Sequence, residues 1–311
     1  MARYLVTGGC GFIGSHLTAR LAEAGHEVTV LDDLSTGSTE SLPASVSLIV
    51  GCVTQPATVA GAMAGNDGCF HLAAVASVQR SHEEWRATHE VNLGGTINVF
   101  EAAREAGPGR RPIPVVYASS AAVYGDSQAL PLSEDGPLRP LSAYGADKLG
   151  CELHARVADG VHGVSATGFR FFNVYGPRQN PASPYSGVIS IFADRVLRGQ
   201  PLMIFGDGEQ TRDFVYVGDL IWYLTEAMER ARPGAPVFNL CTGLGVTVNH
   251  LAQTLAEVCE RLPEIVYAPA RVGEIRASVG NPIRAITEYG FACDTSLHQG
   301  LRQTLRWLSN E

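Results

Sequence analysis

Tyr144 and Lys148 stand four residues apart in "SAYGADKL", a spacing that puts both side-chain heads on one face if the segment is helical. An ammonium beside a phenol stabilises the phenolate, which makes the pair a candidate general base for a sugar or alcohol hydroxyl. The same spacing arises on plain solvated helix faces. What sets this instance apart is "YASSAAVYG" upstream, where Ser119 and Ser120 end an apolar run and offer hydroxyls to the same substrate oxygen. Ser120, Tyr144 and Lys148 form the candidate catalytic set.

A second constellation lies in "RYLVTGGCGFIGSHL", residues 3–17. A short apolar strand there meets Gly8, Gly11 and Gly14 just before a helical run. Backbone N–H groups and the positive end of a helix dipole at such a turn attract a pyrophosphate, and glycine permits its close approach. Taken alone, the turn is also consistent with a tight bend and no ligand. Asp32, 18 residues past Gly14 at the end of the next strand, favours the nucleotide. A carboxylate there accepts hydrogen bonds from the adenosine ribose hydroxyls and repels a 2′-phosphate. The expected cofactor is NAD rather than NADP.

Both constellations need strand ends to hold them, and the chain supplies these in series. "YLVT", "HEVTVLDD", "SLIVGCV", "GCFHLAAV" and "IPVVYASS" read as buried strands, each with small or polar residues at its C-terminal end. Helical patterns separate them, among them residues 12–24, closed by Gly25, and "HEVNLGGTINVFEAAREAG". Alternation of this kind predicts an α/β fold, a Rossmann doubly wound parallel sheet with ligands at the strand C-termini. After about Phe169 the rhythm changes. "FRFFNVYGPRQNPASPYSG" reads as a long functional loop, "VISIFADRVLRG" as a helix, and "PLMIFGDGEQTRDFVYV" as a strand and hairpin. "GDLIWYLTEAMERA" and the tail "SLHQGLRQTLRWLSN" read as helices. The simplest division is an NAD-binding domain over 1–169 and a smaller C-terminal α/β substrate domain over 170–311, with some segments crossing back.

Bulk properties bound the function classes. Of the 311 residues, 45% are apolar and 17% charged, which suits a folded globular enzyme and not a disordered chain. A net charge of −8 disfavours a broad grip on nucleic acid or anionic membrane. The seven cysteines are scattered without a C-x-x-C pair, so neither a zinc site nor a disulfide framework is expected. No charged-then-apolar leader and no long apolar run is present, and the expected setting is the cytoplasm.

Together the motifs resemble a family, the extended short-chain dehydrogenase/reductases and within them the nucleotide-sugar 4-epimerases. The resemblance spans nearly the whole chain: T-G-x-x-G-x-x-G at 7–14, Asp32, "HLAA" at 71–74, "VNLGGT" at 91–96 and "SSAAVYG". It continues through Tyr144-x-x-x-Lys148, "RFFNVYGP" at 170–177 and "GDGEQTRDFVYVGDL" at 206–220. It implies a Rossmann domain of about seven strands, tightly held NAD, a UDP-sugar substrate and a homodimer formed through helices that include the Tyr144 helix. The implied cofactor contacts are Gly8, Gly11, Phe12, Ile13, Gly14, Asp32, Asp33, Leu34, Thr36, Gly37, Cys52 and Val53. Leu72, Ala73, Ala74, Asn92, Tyr144, Lys148 and Phe171 complete them.

Within that family, dehydratases and some decarboxylases follow the strand-end hydroxyl with an acidic residue that moves a second proton. Here Ala121 and Ala122 occupy the place. Their side chains suit a reaction needing only a hydride and one hydroxyl proton, as C4 epimerisation does. By resemblance, Ser120, Ala121, Ala122 and Tyr144 contact the sugar, Asn173 the diphosphate and sugar, and Met203 and Phe205 in "LMIFG" the uracil. Arg212 and Arg271 pair with phosphates; Glu274 meets the uridine ribose, and Gly187 and Val188 border the nucleotide. The gate on substrate size falls at Ser278, where a small residue leaves room for a 2-acetamido group. Ser77 and Arg80 match a segment of acetamido-sugar epimerases. UDP-GlcNAc/UDP-GalNAc and UDP-Glc/UDP-Gal are the expected substrates.

Two positions depart from the family. Cys52 stands where an aspartate usually meets adenine, so one hydrogen bond of about 1 kcal/mol is lost or passed to a backbone group, and Ser186 stands where an asparagine is common. His16 reads as a packing residue, and His82, His89 and His250 as surface groups without partners. Trp222 and Tyr223 read as core residues, and Cys241 and Cys259 as inert. The rival readings are an epimerase for another UDP-sugar such as UDP-glucuronate, with Arg80 meeting the carboxylate, and a catalytically silent NAD(H)-binding scaffold. The intact Tyr–Lys–Ser set argues against the scaffold.

Overall fold

In a computed structural model, residues 1–182, 187–270, 273 and 275–309 are described. The strands are β1 (Arg3–Thr7), β2 (Glu27–Asp32), β3 (Ser47–Val50), β4 (Gly68–His71), β5 (Val115–Ser120) and β6 (Ala166–Phe171). After them come β7 (Asn173–Tyr175), β8 (Leu202–Phe205), β9 (Thr211–Tyr216), β10 (Val237–Leu240), β11 (Gly245–Thr247), β12 (Ile265–Ala268) and β13 (Ala277–Ser278). Four of β1's five residues and all of β4 are buried, as expected of central strands covered on both faces. They sit at the middle of a seven-stranded sheet of order β10-β6-β5-β4-β1-β2-β3. The pairs β1–β2, β1–β4, β2–β3 and β4–β5 are parallel, so these strands end at one edge. This is the expected Rossmann-type sheet.

The helices that matter for the site are α1 (Phe12–Glu23), α2 (Pro56–Met63), α3 (Val78–Glu83), α4 (Trp85–His89), α5 (Gly95–Ala103) and α6 (Ala143–His162). Between α4 and α5 the chain makes a π-turn over Glu90–Gly94, so the helix expected over 89–107 opens on a π-bulge and is α-helical over Gly95–Ala103. Helix α6 is capped by Ser142, whose hydroxyl accepts from Gly145 N at 3.0 Å, and closes on Gly163 at φ 68°.

Contact density divides the chain into two units. The first comprises 1–123, 140–170 and 221–238; the second comprises 124–139, 171–220 and 239–311. The first unit is cored by Leu5, Leu31, Cys69, Val99, Val115 and Tyr117 with their neighbours. The second is cored by Tyr175, Phe192, Leu202, Phe214, Leu251 and Leu301 among others.

Two expectations for the second half are corrected. Residues 166–175, read partly as loop, form β6 and β7, because Phe169, Phe172 and Tyr175 bury large apolar areas that a surface loop would expose. The run 202–216 is not a hairpin: β8 pairs with β12, while β9 pairs with β7, β11 and β13. Gly206 and Gly208, both at positive φ, turn the chain out of one sheet and into the other. No helix among the described residues is long and apolar enough to cross a membrane.

Candidate active site

At the end of β1 the chain turns at Gly8, whose φ of 71° favours glycine. A methyl there would stand 2.7 Å from Ala73 N, and one on Gly14 would run into the Gly8 carbonyl oxygen. The loop is therefore wound as tightly as a backbone allows, and α1 starts directly behind Gly11 with its first N–H groups turned to the loop. Phe12 and Ile13 open the helix. This is a cradle shaped for a pyrophosphate.

Asp32, buried at the end of β2, is the second anchor. Its Oδ2 accepts from Cys10 N at 2.9 Å and its Oδ1 from Leu34 N at 2.9 Å. One carboxylate thereby ties the glycine loop to the 33–37 segment and keeps lone pairs for a ribose diol. Leu34 takes a left-handed φ of 58°, Asp33 accepts from Ser35 N, and Ser38 N returns to Cys10 O at 3.1 Å. Thr36 and Gly37 lie within this wrap. Burial, and then the Asp32 charge, push the Cys10 thiol up to about 11, so the loop keeps no thiolate to oppose an anion. Cys52 and Val53 follow β3, and Gly51 N donates to Asp32 O at 3.0 Å.

The β4 end is fixed by a group that sequence reasoning passed over. His71 lies between Thr7 Oγ1 at 2.7 Å and Thr96 Oγ1 at 2.9 Å. Thr96 donates to Asn92 O, and Thr7 accepts from Ala73 N. This network requires Nδ1 to accept and Nε2 to donate, a neutral ring. Burial, aided by the Lys148 charge, lowers His71 to about 3. The carboxamide of Asn92 is engaged with Val75 at 2.8 and 3.2 Å and so holds the strand-end loop of Leu72, Ala73 and Ala74.

Ser120, Tyr144 and Lys148 all belong to the first unit. Lys148, buried on α6, donates from Nζ to Ala118 O at 2.9 Å and stands 5.8 Å from the centroid of the Tyr144 ring. Gly145 seats the start of α6 on the turn after β5, since a methyl there would come 2.6 Å from Ala122 O. The Ser120 hydroxyl accepts from Ala122 N at 3.1 Å and keeps its proton to donate.

Ser119 does not share that role. Strand alternation turns it to the other face, where it donates to Glu152 at 2.6 Å. Glu152 is paired in turn with Arg170 at 2.9 and 2.7 Å, all of it buried. Glu152 is four residues beyond Lys148, and that spacing was the available signal. His89, expected to stand alone, meets Asp147 at 2.7 Å. Ser77 caps α3 by accepting from Arg80 N at 3.0 Å, and Arg80 pairs with Glu84 at 2.8 Å.

The remaining expected residues lie in the second unit. Asn173 is exposed at the start of β7, and Gly187 and Val188 open helix α7 (Val188–Leu197). Met203 and Phe205 alternate outward on β8 while Leu202 and Ile204 enter the core. Arg212 pairs in register with Ser278 across β9 and β13, so the phosphate candidate and the gate candidate are neighbours. Asp213 beside them binds Thr242 N and Oγ1, Gly243 N and Gly280 N, and so fixes that corner. Phe171 ends β6 at the start of this unit's second segment. Arg271, Glu274 and Ser186 lie outside the described residues.

The thiols of Cys241 and Cys259 are raised, chiefly by burial, and so are poor nucleophiles. No group of three or more metal-ligating side chains forms among the described residues.

A Rossmann sheet, a glycine cradle with a ribose-ready carboxylate, and a Tyr–Lys–Ser set define an NAD-dependent oxidoreductase-type fold. The chain belongs to the NAD dependent epimerase/dehydratase family, whose model matches residues 4–241. It is 36% identical over 316 residues to the UDP-glucose 4-epimerase of Mycolicibacterium smegmatis, with 99% of each chain covered. The crystal structure of UDP-glucose 4-epimerase from Thermotoga maritima with UDP-glucose superimposes with a TM-score of 0.94 at 35% identity, covering 99% of both chains. UDP-N-acetylglucosamine 4-epimerase from Methanobrevibacter ruminantium in complex with UDP-N-acetylmuramic acid gives 0.93 at 32% identity, covering 99% of this chain and 98% of that one. The chain is an enzyme, and its cofactor is NAD.

Proposed function

We propose that the protein interconverts the C4 epimers of UDP-hexoses, acting on UDP-GlcNAc/UDP-GalNAc and also on UDP-Glc/UDP-Gal. The observation that carries this reading is the Tyr144–Lys148–Ser120 set beside the two alanines at 121 and 122. Held by the glycine turn and Asp32, NAD would supply a reversible hydride acceptor. Tyr144, as phenolate, takes the proton of the 4-hydroxyl, and Lys148 holds that negative charge. Ser120 donates to the 4-oxygen and orients it. The product of this half-reaction is a 4-keto sugar. With Ala121 and Ala122 at the turn, no carboxylate of this segment reaches C5 or C6, so a sugar that turns about its diphosphate is reduced on its other face by the reverse steps.

Asn173, Arg212, Met203 and Phe205 are assigned to the nucleoside diphosphate, and Ser278 to the space beside C2 of the sugar. Arg271 and Glu274 are assigned to phosphate and ribose on sequence grounds alone. Leu153, Val157 and Val161 form an exposed apolar stripe at helical spacing on α6, and we assign this face to a homodimer contact.

The test is incubation of the pure protein with UDP-GlcNAc, UDP-Glc and UDP-glucuronate, followed by NMR. Appearance of the 4-epimers of the first two is expected. Turnover of UDP-glucuronate alone would reassign the substrate, and no turnover of any would overturn the reading.

A further inference from the structure

Tyr144, Lys148 and Glu152 follow one another at four-residue steps on α6, and the last two bind the end of β5. Lys148 binds the carbonyl of Ala118, and Glu152 binds the hydroxyl of Ser119 at 2.6 Å. The next strand residue is Ser120, which the alternation of the strand turns to the opposite side. Consecutive residues of β5 are thus matched to consecutive turns of α6. Glu152 also reaches a third element, through its two bonds to Arg170 on β6.

From this geometry we infer that Glu152, held by Arg170, is a positioning residue for catalysis. It sets the register of α6 on β5 and thereby the placement of Tyr144 and Lys148 relative to Ser120. Two observations distinguish this from ordinary core packing. The pair is 2–3% exposed, so water does not loosen it, and its hydrogen bonds fix direction as well as distance. It also lies one turn from the buried ammonium whose charge must stay beside the phenol. The charged or titratable groups around Glu152 are Lys148, Cys151 and Arg156 on α6, Tyr117 on β5 and Arg170 on β6. Removing Glu152 and Arg170 together deletes one negative and one positive charge, so neither member of this pair is left as a buried ion without the other. The other groups named keep their charges.

The inference rests on the epimerase reading, and wild-type turnover of UDP-Glc or UDP-GlcNAc is the control that keeps the two apart. The experiment compares wild type with Glu152→Met/Arg170→Met in the NAD-loaded enzyme. Expected are retained NAD, KM within about threefold, kcat lower by at least about tenfold, and an acidic limb of the kcat–pH profile moved to higher pH as Lys148 draws away from the phenol. A folded double variant with wild-type kcat and an unmoved limb would overturn the inference while leaving the epimerase reading intact. If the double variant does not fold, Ser119→Ala decides: it removes only the Glu152 link to β5. A lower kcat with a limb moved the same way supports the inference, and an unchanged profile overturns it.

Discussion

The ammonium of Lys148 stands 5.8 Å from the centroid of the Tyr144 ring while it donates to the carbonyl of Ala118. The cation is thus fixed by the sheet, not by the substrate, and is in place before any sugar arrives. Tyr144→Phe removes the group we propose as proton acceptor and leaves the packing. The expected result is a kcat lower by about a hundredfold to ten-thousandfold with bound NAD retained, measured by coupled turnover and by the cofactor content of the purified protein.

Asp32 fixes the glycine loop through one carboxylate, and we assign the same group to the cofactor's ribose. Asp32→Ala loses its bonds to Cys10 N and Leu34 N as well as those offered to the ribose. NAD affinity falls by roughly tenfold to a hundredfold, following about 1.5–3 kcal/mol for a charged hydrogen bond, and the preference over NADP narrows. Calorimetric titration with each dinucleotide measures both.

His71 makes stability depend on pH. It titrates near 3 when folded and near 6.5 when unfolded, so between those values the unfolded chain binds the extra proton. Stability from this group is full above about pH 6.5 and falls with decreasing pH, by at most about 1.4 kcal/mol per unit, until the folded value is reached. His71→Asn is expected to start less stable at pH 7 and to show a shallower decline. Urea denaturation from pH 7 to pH 4 reads both slopes.

The α6 stripe gives a test of assembly. Leu153→Glu/Val157→Glu puts two carboxylates on a face that is 48–53% exposed in the single chain, so the monomer fold tolerates them. Light scattering is expected to show wild type as a dimer and the variant at the monomer mass of 33.1 kDa.

The sheet and the cofactor end of the site were legible because their signals are local. A buried strand is an apolar run, a phosphate turn is a glycine spacing, and Tyr144 and Lys148 are one helical turn apart. What escaped was long-range. The link from Glu152 to Arg170 joins residues 18 apart, and that from His71 to Thr7 joins residues 64 apart. Ser119 was misassigned for a geometric reason: adjacent strand hydroxyls look alike in sequence and point to opposite faces in a sheet. The false hairpin at 202–216 arose similarly, since two strands in sequence order need not be partners.

Gly145 has a bearing on how such an enzyme diversifies. A methyl there would press on Ala122 O, so the helix start and the strand-end turn are keyed together and the spacing of Tyr144 from Ser120 cannot drift by small side-chain changes. The residues assigned to the nucleotide and the sugar mostly sit on short strands of the other unit, where Met203 and Ser278 are partly exposed and open to substitution. Mutation can therefore explore new cargo at those positions while the reaction itself is inherited unchanged.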